Sequence, residues 1–261
     1  MSIQARFNCM EMSQCISPKA KIGSNVEIGF GVRIYDNVVI GANTSIGDHC
    51  VIGCSTKSQK FAGKPVIVGE NSIIRSHSVL YEGSSYGAGL ETGHHVVLRE
   101  GTQVGVNLRV GNFSDIEGNC EIGDFCRFHG YAHIGKGSVV GNFVWIFSLV
   151  TLTNDPLPPS HLALPVTIED GAVLAVGATP LPGSHIGKGA FVGAGSQVRG
   201  KVKPGAVVLD GKVVFGVHRL CALEHGIAHP WMSHFKDAYP EEAWERIESL
   251  SVEVKRAALE I

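Results

Sequence analysis

The chain has 261 residues and carries 22 Lys+Arg against 24 Asp+Glu, a formal net charge of -2, so no global basic field for nucleic acid and no acidic tail is expected. No apolar stretch approaches the ~18 residues that a bilayer span needs, and the opening MSIQARFNCMEM lacks an apolar signal core, which predicts a cytoplasmic protein with no membrane partner. Seven cysteines without an export signal predict reduced thiols, and 33 glycines beside only 11 prolines and a 44% hydrophobic fraction predict many tight turns around a real core.

Residues 1–15 form a lead-in. From Ile16 a step of six lands on Ile22, Ile28, Ile34, Ile40, Ile46 and Ile52 without exception. The step resumes at Val68, Ile74 and Leu80, then runs through Leu98, Val104, Val110, Ile116, Ile122, Phe128, Ile134, Val140, Ile146 and Leu152. It closes with Ile168, Leu174, Pro180, Ile186, Val192, Val198 and Pro204. Neither a helix nor a hairpin strand has this period. A period of six marks the parallel β-helix, in which short strands and turns repeat and stacked coils bury one continuous column of side chains. Four residues after a marker comes a small or β-branched residue, as at Val26, Val32, Val38 and Thr44. The place directly after it is often Gly, which suits a tight corner. Three hexapeptides per coil would turn the 27 markers into about nine coils.

The domain so defined spans 16–209, and its gaps at 53–67, 81–97 and 153–167 are expected to be insertions pushed out of corners. Residues 210–261 lose the period. From Pro240 they place Trp244, Ile247, Leu250 and Val254 at helical spacing, acidic residues first and Lys255 and Arg256 last. This predicts a C-terminal helical extension packed on the prism or on a neighbouring subunit.

The sharpest local signal is Thr151-Leu152-Thr153-Asn154-Asp155-Pro156, followed by His161. A carboxylate and an amide side by side could position an amine and drain its proton; alternatively, Asn-Asp-Pro only starts a turn. His129 and His133 flank the inward markers Phe128 and Ile134, so both should face out, as bases or as ordinary surface histidines. His94 and His95 end the second gap. In the late coils Gly177, Ala178 and Gly195 leave an outer surface stripped of bulk, and Lys188, Arg199, Lys201 and Lys203 accompany them. Cys50, Cys120 and Cys126 take the small inward place and read as packing residues. Cys9, Cys15, Cys54 and Cys221 show no motif spacing, and Trp145, Trp231 and Trp244 read as packing or interface anchors.

The repeat resembles the hexapeptide-repeat acyltransferase family over residues 16–209, and the T-x-T-N-D-x-x-P-P segment resembles its nucleotide-linked amino-sugar N-acetyltransferases. The resemblance implies an all-β fold, a left-handed parallel β-helix of triangular section, assembled as a homotrimer with shared sites. It implies transfer of an acetyl group from acetyl-CoA, with no metal, to the amine of a dTDP- or UDP-linked deoxyamino sugar in cell-surface polysaccharide assembly. In that scheme Asp155 receives the sugar ammonium or its proton, Asn154 orients it and His129 assists as base. His94, His95, His133 and His161 line the acceptor pocket. Gly177, Ala178 and Gly195 admit the pantetheine arm, with Lys188, Arg199, Lys201 and Lys203 near the donor phosphates. Relatives often end in a G-N-P-A-K/R segment where this chain reads Leu209-Asp210-Gly211-Lys212. Two other classes fit the same repeat. One is a zinc enzyme like the hexapeptide-repeat carbonic anhydrases, with ligands from His94 or His95, His129 and His133. The other is a noncatalytic trimeric scaffold.

Overall fold

The computed structural model describes residues 15–222 and 238–261. The lead-in before residue 15, Cys9, Trp231 and the side chain of Cys221 lie outside the described residues.

Short strands, most of them two residues long, run from Cys15–Ile16 to Ala206–Leu209 and pair in parallel with the strand one coil away. On a first face Leu80, Leu98, Ile116, Ile134 and Leu152 are successive partners. On a second face the row is Tyr86, Val104, Ile122, Val140, Ile168 and Ile186. On the third it is Thr92, Val110, Phe128, Ile146, Leu174 and Val192. All of these side chains point inward and, with Cys50, Cys120 and Cys126 among them, build one core along the axis. A two-residue strand offers little pairing of its own, so the fold is held by each coil covering the apolar column of the next. Among the described residues no helix is long and apolar enough to cross a membrane.

Residues 81–97 are not an insertion. Tyr86 and Thr92 occupy the two missing marker places at 1% and 0% exposure and stay in register with Val104 and Val110. The Tyr86 ring fills the interior where its partners on the second face are aliphatic. The Thr92 hydroxyl is paid for by the Arg75 amide, which donates to it at 3.0 Å. With these places filled, three strands per coil make about ten coils.

Two excursions do leave the prism. Sixteen residues separate Ile52 from Val68 and Leu152 from Ile168 where six would serve, and both paths lead from the first face to the second, so both leave at the same corner. The last step also departs from the period. Val202, not Pro204, is the buried residue paired with Ile186; the chain turns early at Gly200, whose φ is +76°.

The corners are built differently from the sequence expectation. The left-handed conformation falls three places after the marker, as at Asn43 (φ 55°), His77 (φ 63°) and Gly101 (φ 71°). Glycine directly after the marker answers to crowding instead: a Cβ on Gly41 would lie 2.3 Å from the Glu70 amide nitrogen of the next coil. At the corner between the third and first faces the left-handed places hold His49, His77, His95, Phe113 and Tyr131. Their rings stack in sequence with centroids 5.1, 4.6, 5.0 and 5.2 Å apart.

The extension begins with a strand, not a helix: Lys212–Gly216 folds back antiparallel on Ala206–Leu209. A 3-10 helix, Val217–Ala222, follows. Helix α1 (Trp244–Ala258) lays Ile247, Leu250, Val254 and Ala258 on Phe125, Phe143, Val173 and Val207 of its own prism. Gly189 permits the approach, since a Cβ there would meet Val254 at 2.4 Å.

Candidate active site

Asp115 and His133 are strand partners in adjacent coils of the first face, each one residue before a buried marker, so both side chains stand outside the prism. His133 Nδ1 lies 3.0 Å from Asp115 Oδ2 and 3.1 Å from Oδ1. The hydrogen bond to Asp115 raises the imidazole pKa above its ordinary value, outweighing the lowering by burial. With Nδ1–H donated to the carboxylate, the neutral ring keeps its lone pair on Nε2, and the side chain is 34% exposed, so that nitrogen can serve as a base.

The second excursion starts one coil farther on. Asn154 Nδ2 is 3.5 Å from Glu117 Oε2 and 3.4 Å from the Lys136 carbonyl oxygen, and the Lys136 amide donates to the same Glu117 oxygen at 3.1 Å. The first face therefore gathers Asp115, Glu117, His133, Lys136 and Asn154. Asp115 and Glu117 escaped the sequence reading, although stepping back one coil of eighteen residues from His133 lands on Asp115.

Asp155 is engaged within its own excursion. Its Oδ1 accepts from the Leu157 amide at 2.9 Å and the Ser160 hydroxyl at 2.6 Å, and its Oδ2 accepts from the Ser160 amide at 2.8 Å. The Ser160 hydroxyl leads the effects that hold its pKa below the usual carboxylate value, so it is a weak base and a turn-former. His161 is exposed on the same excursion.

His129 is separated from His133 by the corner at Tyr131 and belongs to the third face. Its ring stacks on Phe147 at 4.5 Å and burial pushes its pKa down. It lines a cavity of ≈ 830 Å³ with His94, Arg109, Arg127 and Trp145. His94 Nδ1 lies 2.8 Å from the Ser76 hydroxyl, while His95 is part of the exposed corner stack. The four histidines considered as zinc ligands thus divide among the third face, a corner and the first face, and among the described residues no group of three His, Cys, Asp or Glu is placed to hold a metal.

Of the donor set, Gly177 and Gly195 sit in left-handed conformation on the corner that carries the ring stack, and a Cβ on Gly195 would meet nothing within 4 Å. The corner there is bare. Ala178 leaves the set: it is 0% exposed, its methyl packed in the core. Lys188 is engaged by Glu253 of α1 at 2.6 Å. Arg199, Lys201 and Lys203 are exposed on the last coil, Lys201 on the second face.

The bacterial transferase hexapeptide (six repeats) family matches residues 19–54. No curated protein matches the sequence. Among solved structures, the chain is similar to UDP-N-acetylglucosamine acyltransferase of Arabidopsis, with TM-score 0.55 and 17% identity over 95% of this chain and 93% of that one. UDP-N-acetylglucosamine acyltransferase from Campylobacter jejuni gives TM-score 0.39 and 14% identity over 90% and 80%. A mutant of perosamine N-acetyltransferase from Caulobacter crescentus, in complex with CoA and GDP-perosamine, gives TM-score 0.20 and 18% identity over 51% and 52%. At such identities likeness is a matter of fold. The repeat match, the parallel three-faced coils and the Arabidopsis fold together identify the chain as a hexapeptide-repeat, left-handed β-helix protein.

Proposed function

We propose that the chain is a CoA-dependent N-acyltransferase that moves an acetyl group from acetyl-CoA to the amine of a nucleotide-linked amino sugar. The observation that carries this reading is the His133–Asp115 pair, standing on the face from which the excursion bearing Asn154 departs one coil on. A neutral amine attacks a thioester and must shed one proton as the C–N bond forms, and a histidine held in one tautomer by a carboxylate is suited to take that proton at Nε2. The new C–N bond forms as the carbonyl becomes an oxyanion. Collapse then breaks the C–S bond, and the imidazolium returns the proton to the departing thiolate. His133 replaces His129 as base, Asn154 orients the amine and Asp155 shapes the excursion that carries Asn154.

The donor would follow the bare corner at Gly177 and Gly195, two and three coils beyond His133 at the edge of the same face. At the spacing of paired strands this is roughly 10–15 Å, the scale of a pantetheine arm. Arg199 on the last coil is then available for the donor phosphates. The fold shared with an acyltransferase of a UDP-linked sugar supports the substrate class. We further read the enzyme as a cytoplasmic homotrimer in cell-surface glycan assembly, because an open face needs a neighbour to close a two-substrate site.

The test pairs acetyl-, formyl- and longer acyl donors with dTDP-, UDP- and GDP-amino sugars and follows thiol release. Turnover with at least one amino sugar is expected. A prism that binds no acyl-CoA and releases no thiol with any pair is a scaffold, not this enzyme.

A further inference from the structure

The cavity on the third face has a charge pattern that the whole chain does not. Arg75, Arg109 and Arg127 line it together with one carboxylate, Glu91. Glu91 is shared: its Oε1 accepts from Arg75 Nη2 at 2.8 Å and its Oε2 faces Arg109 Nε at 3.2 Å. Among the described residues, three guanidinium groups face one carboxylate in this concave site, within a chain of formal charge -2. A cation excess confined to a groove is the local phosphate site that the overall charge permits.

The arginines differ in accessibility. Arg127 is 5% exposed and directs its terminal nitrogens at the Asn107 carbonyl oxygen at 2.6 Å, the Asn107 side-chain oxygen at 2.8 Å and the Cys126 carbonyl oxygen at 3.0 Å, with no carboxylate among the described residues in salt-bridge contact with it. Burial drives its pKa down to about 10, and Arg109, its strand partner in the previous coil, adds to the lowering. Arg109 is 54% exposed, and among the described residues its terminal nitrogens hold no hydrogen bond. An anion reaching Arg109 would relieve the repulsion between these two neighbours. Phe113 and Tyr131, 51% and 57% exposed, and Trp145 provide aromatic surface in the same groove. Its ≈ 830 Å³ exceeds what a single phosphate needs.

We infer that this groove binds a nucleoside diphosphate, the phosphates on Arg109 and Arg75 and the base against the aromatic wall. The inference rests on the acyltransferase reading for its choice of nucleotide. That ligand has two sources there, the sugar acceptor and the adenosine diphosphate moiety of CoA. The acceptor would place its sugar toward Tyr131, two residues from His133.

Calorimetric titration of the full chain with UDP, dTDP and GDP in one arm and with ADP and CoA in the other separates the sources. Binding in at least one arm is expected, with Arg109→Ala weakening it by about tenfold or more. Glu91→Gln should tighten it several-fold, an outcome that a purely structural ion pair would not produce. Circular dichroism checks that each variant is folded, and Glu91→Gln alone decides the matter if Arg109→Ala is not. No binding of any of the five at millimolar concentration overturns the proposal, as does unchanged affinity in Glu91→Gln and in folded Arg109→Ala. Nucleotide binding without acyl transfer would leave the groove and remove the enzyme reading; acyl transfer with an inert groove would do the reverse.

Discussion

The two excursions leave the same corner and lengthen their coils equally, yet they are fastened in opposite ways. The first is held from outside. Glu82 of the prism, 3% exposed, accepts from the Thr56 amide at 2.8 Å, the Ser55 hydroxyl at 3.2 Å and the Gly63 amide at 2.8 Å. Phe61, 7% exposed, closes down on Gly83 and Gly101, where a Cβ would sit 2.7 and 2.4 Å from its ring. The second is held chiefly from within by Asp155, touches the prism where the Gly183 amide donates to the Leu164 carbonyl at 2.8 Å, and leaves Leu157 and Leu162 71% and 58% exposed. The first thus anchors on the prism through Phe61 and Glu82, while most of its other residues stay exposed. At the root of the second, Asn154 reaches the Lys136 carbonyl of the coil that carries His133.

This division can be broken by experiment. The largest effect should come from His133→Asn, which is expected to lower kcat/KM by roughly 10²–10⁴ in a folded protein. Phe61→Ala should leave turnover per folded molecule unchanged; comparable losses in the two variants would erase the distinction. Next in size, Glu82→Ala strips three donors of their acceptor and should cost about 3 kcal/mol in denaturant unfolding. Asp155→Ala should shift the same transition less and reduce turnover less than His133→Asn does.

The pH dependence sharpens the assignment of the base. The folded protein raises the His133 pKa through Asp115, so the pair stabilises the fold fully below the unfolded histidine value of about 6.5 and loses that contribution as pH rises through the raised folded value. Asp115→Asn should therefore destabilise the protein at pH 5 more than at pH 8 and move the rise of kcat/KM with pH to lower pH. An inflection that stays in place would detach His133 from the proton transfer. Smallest of all, Leu157→Ser should change the melting midpoint hardly at all, because the side chain is 71% exposed.

The prism was readable wherever its buried places are aliphatic, as along Ile34 to Ile52. It became unreadable where Tyr86 and Thr92 do the same work, since a threonine is recognisable as core only once the Arg75 amide donating to it is known. The shortened step to Val202 hid behind Pro204, which continued the period without occupying its place. At the site, Asn154 and His133 were in view, but their company was not. Positions four apart seem neighbours in a sequence, yet the corner at Tyr131 sends His129 and His133 to different faces, while Asp115, eighteen places away, is the contact. The turn reading of Asp155 lay in its local chain all along, because its partners are Leu157 and Ser160.

The antiparallel strand Lys212–Gly216 has a bearing on solubility. A parallel ladder is an open template that could recruit like-oriented segments without end, the hazard behind fibrils. By reversing direction across the last coil, this strand occupies the free edge of the third face with a pairing that no further hexapeptide turn can continue. That face thus carries its own stop, and removing residues 212–216 should bare its edge and raise the tendency to self-associate, measured by light scattering.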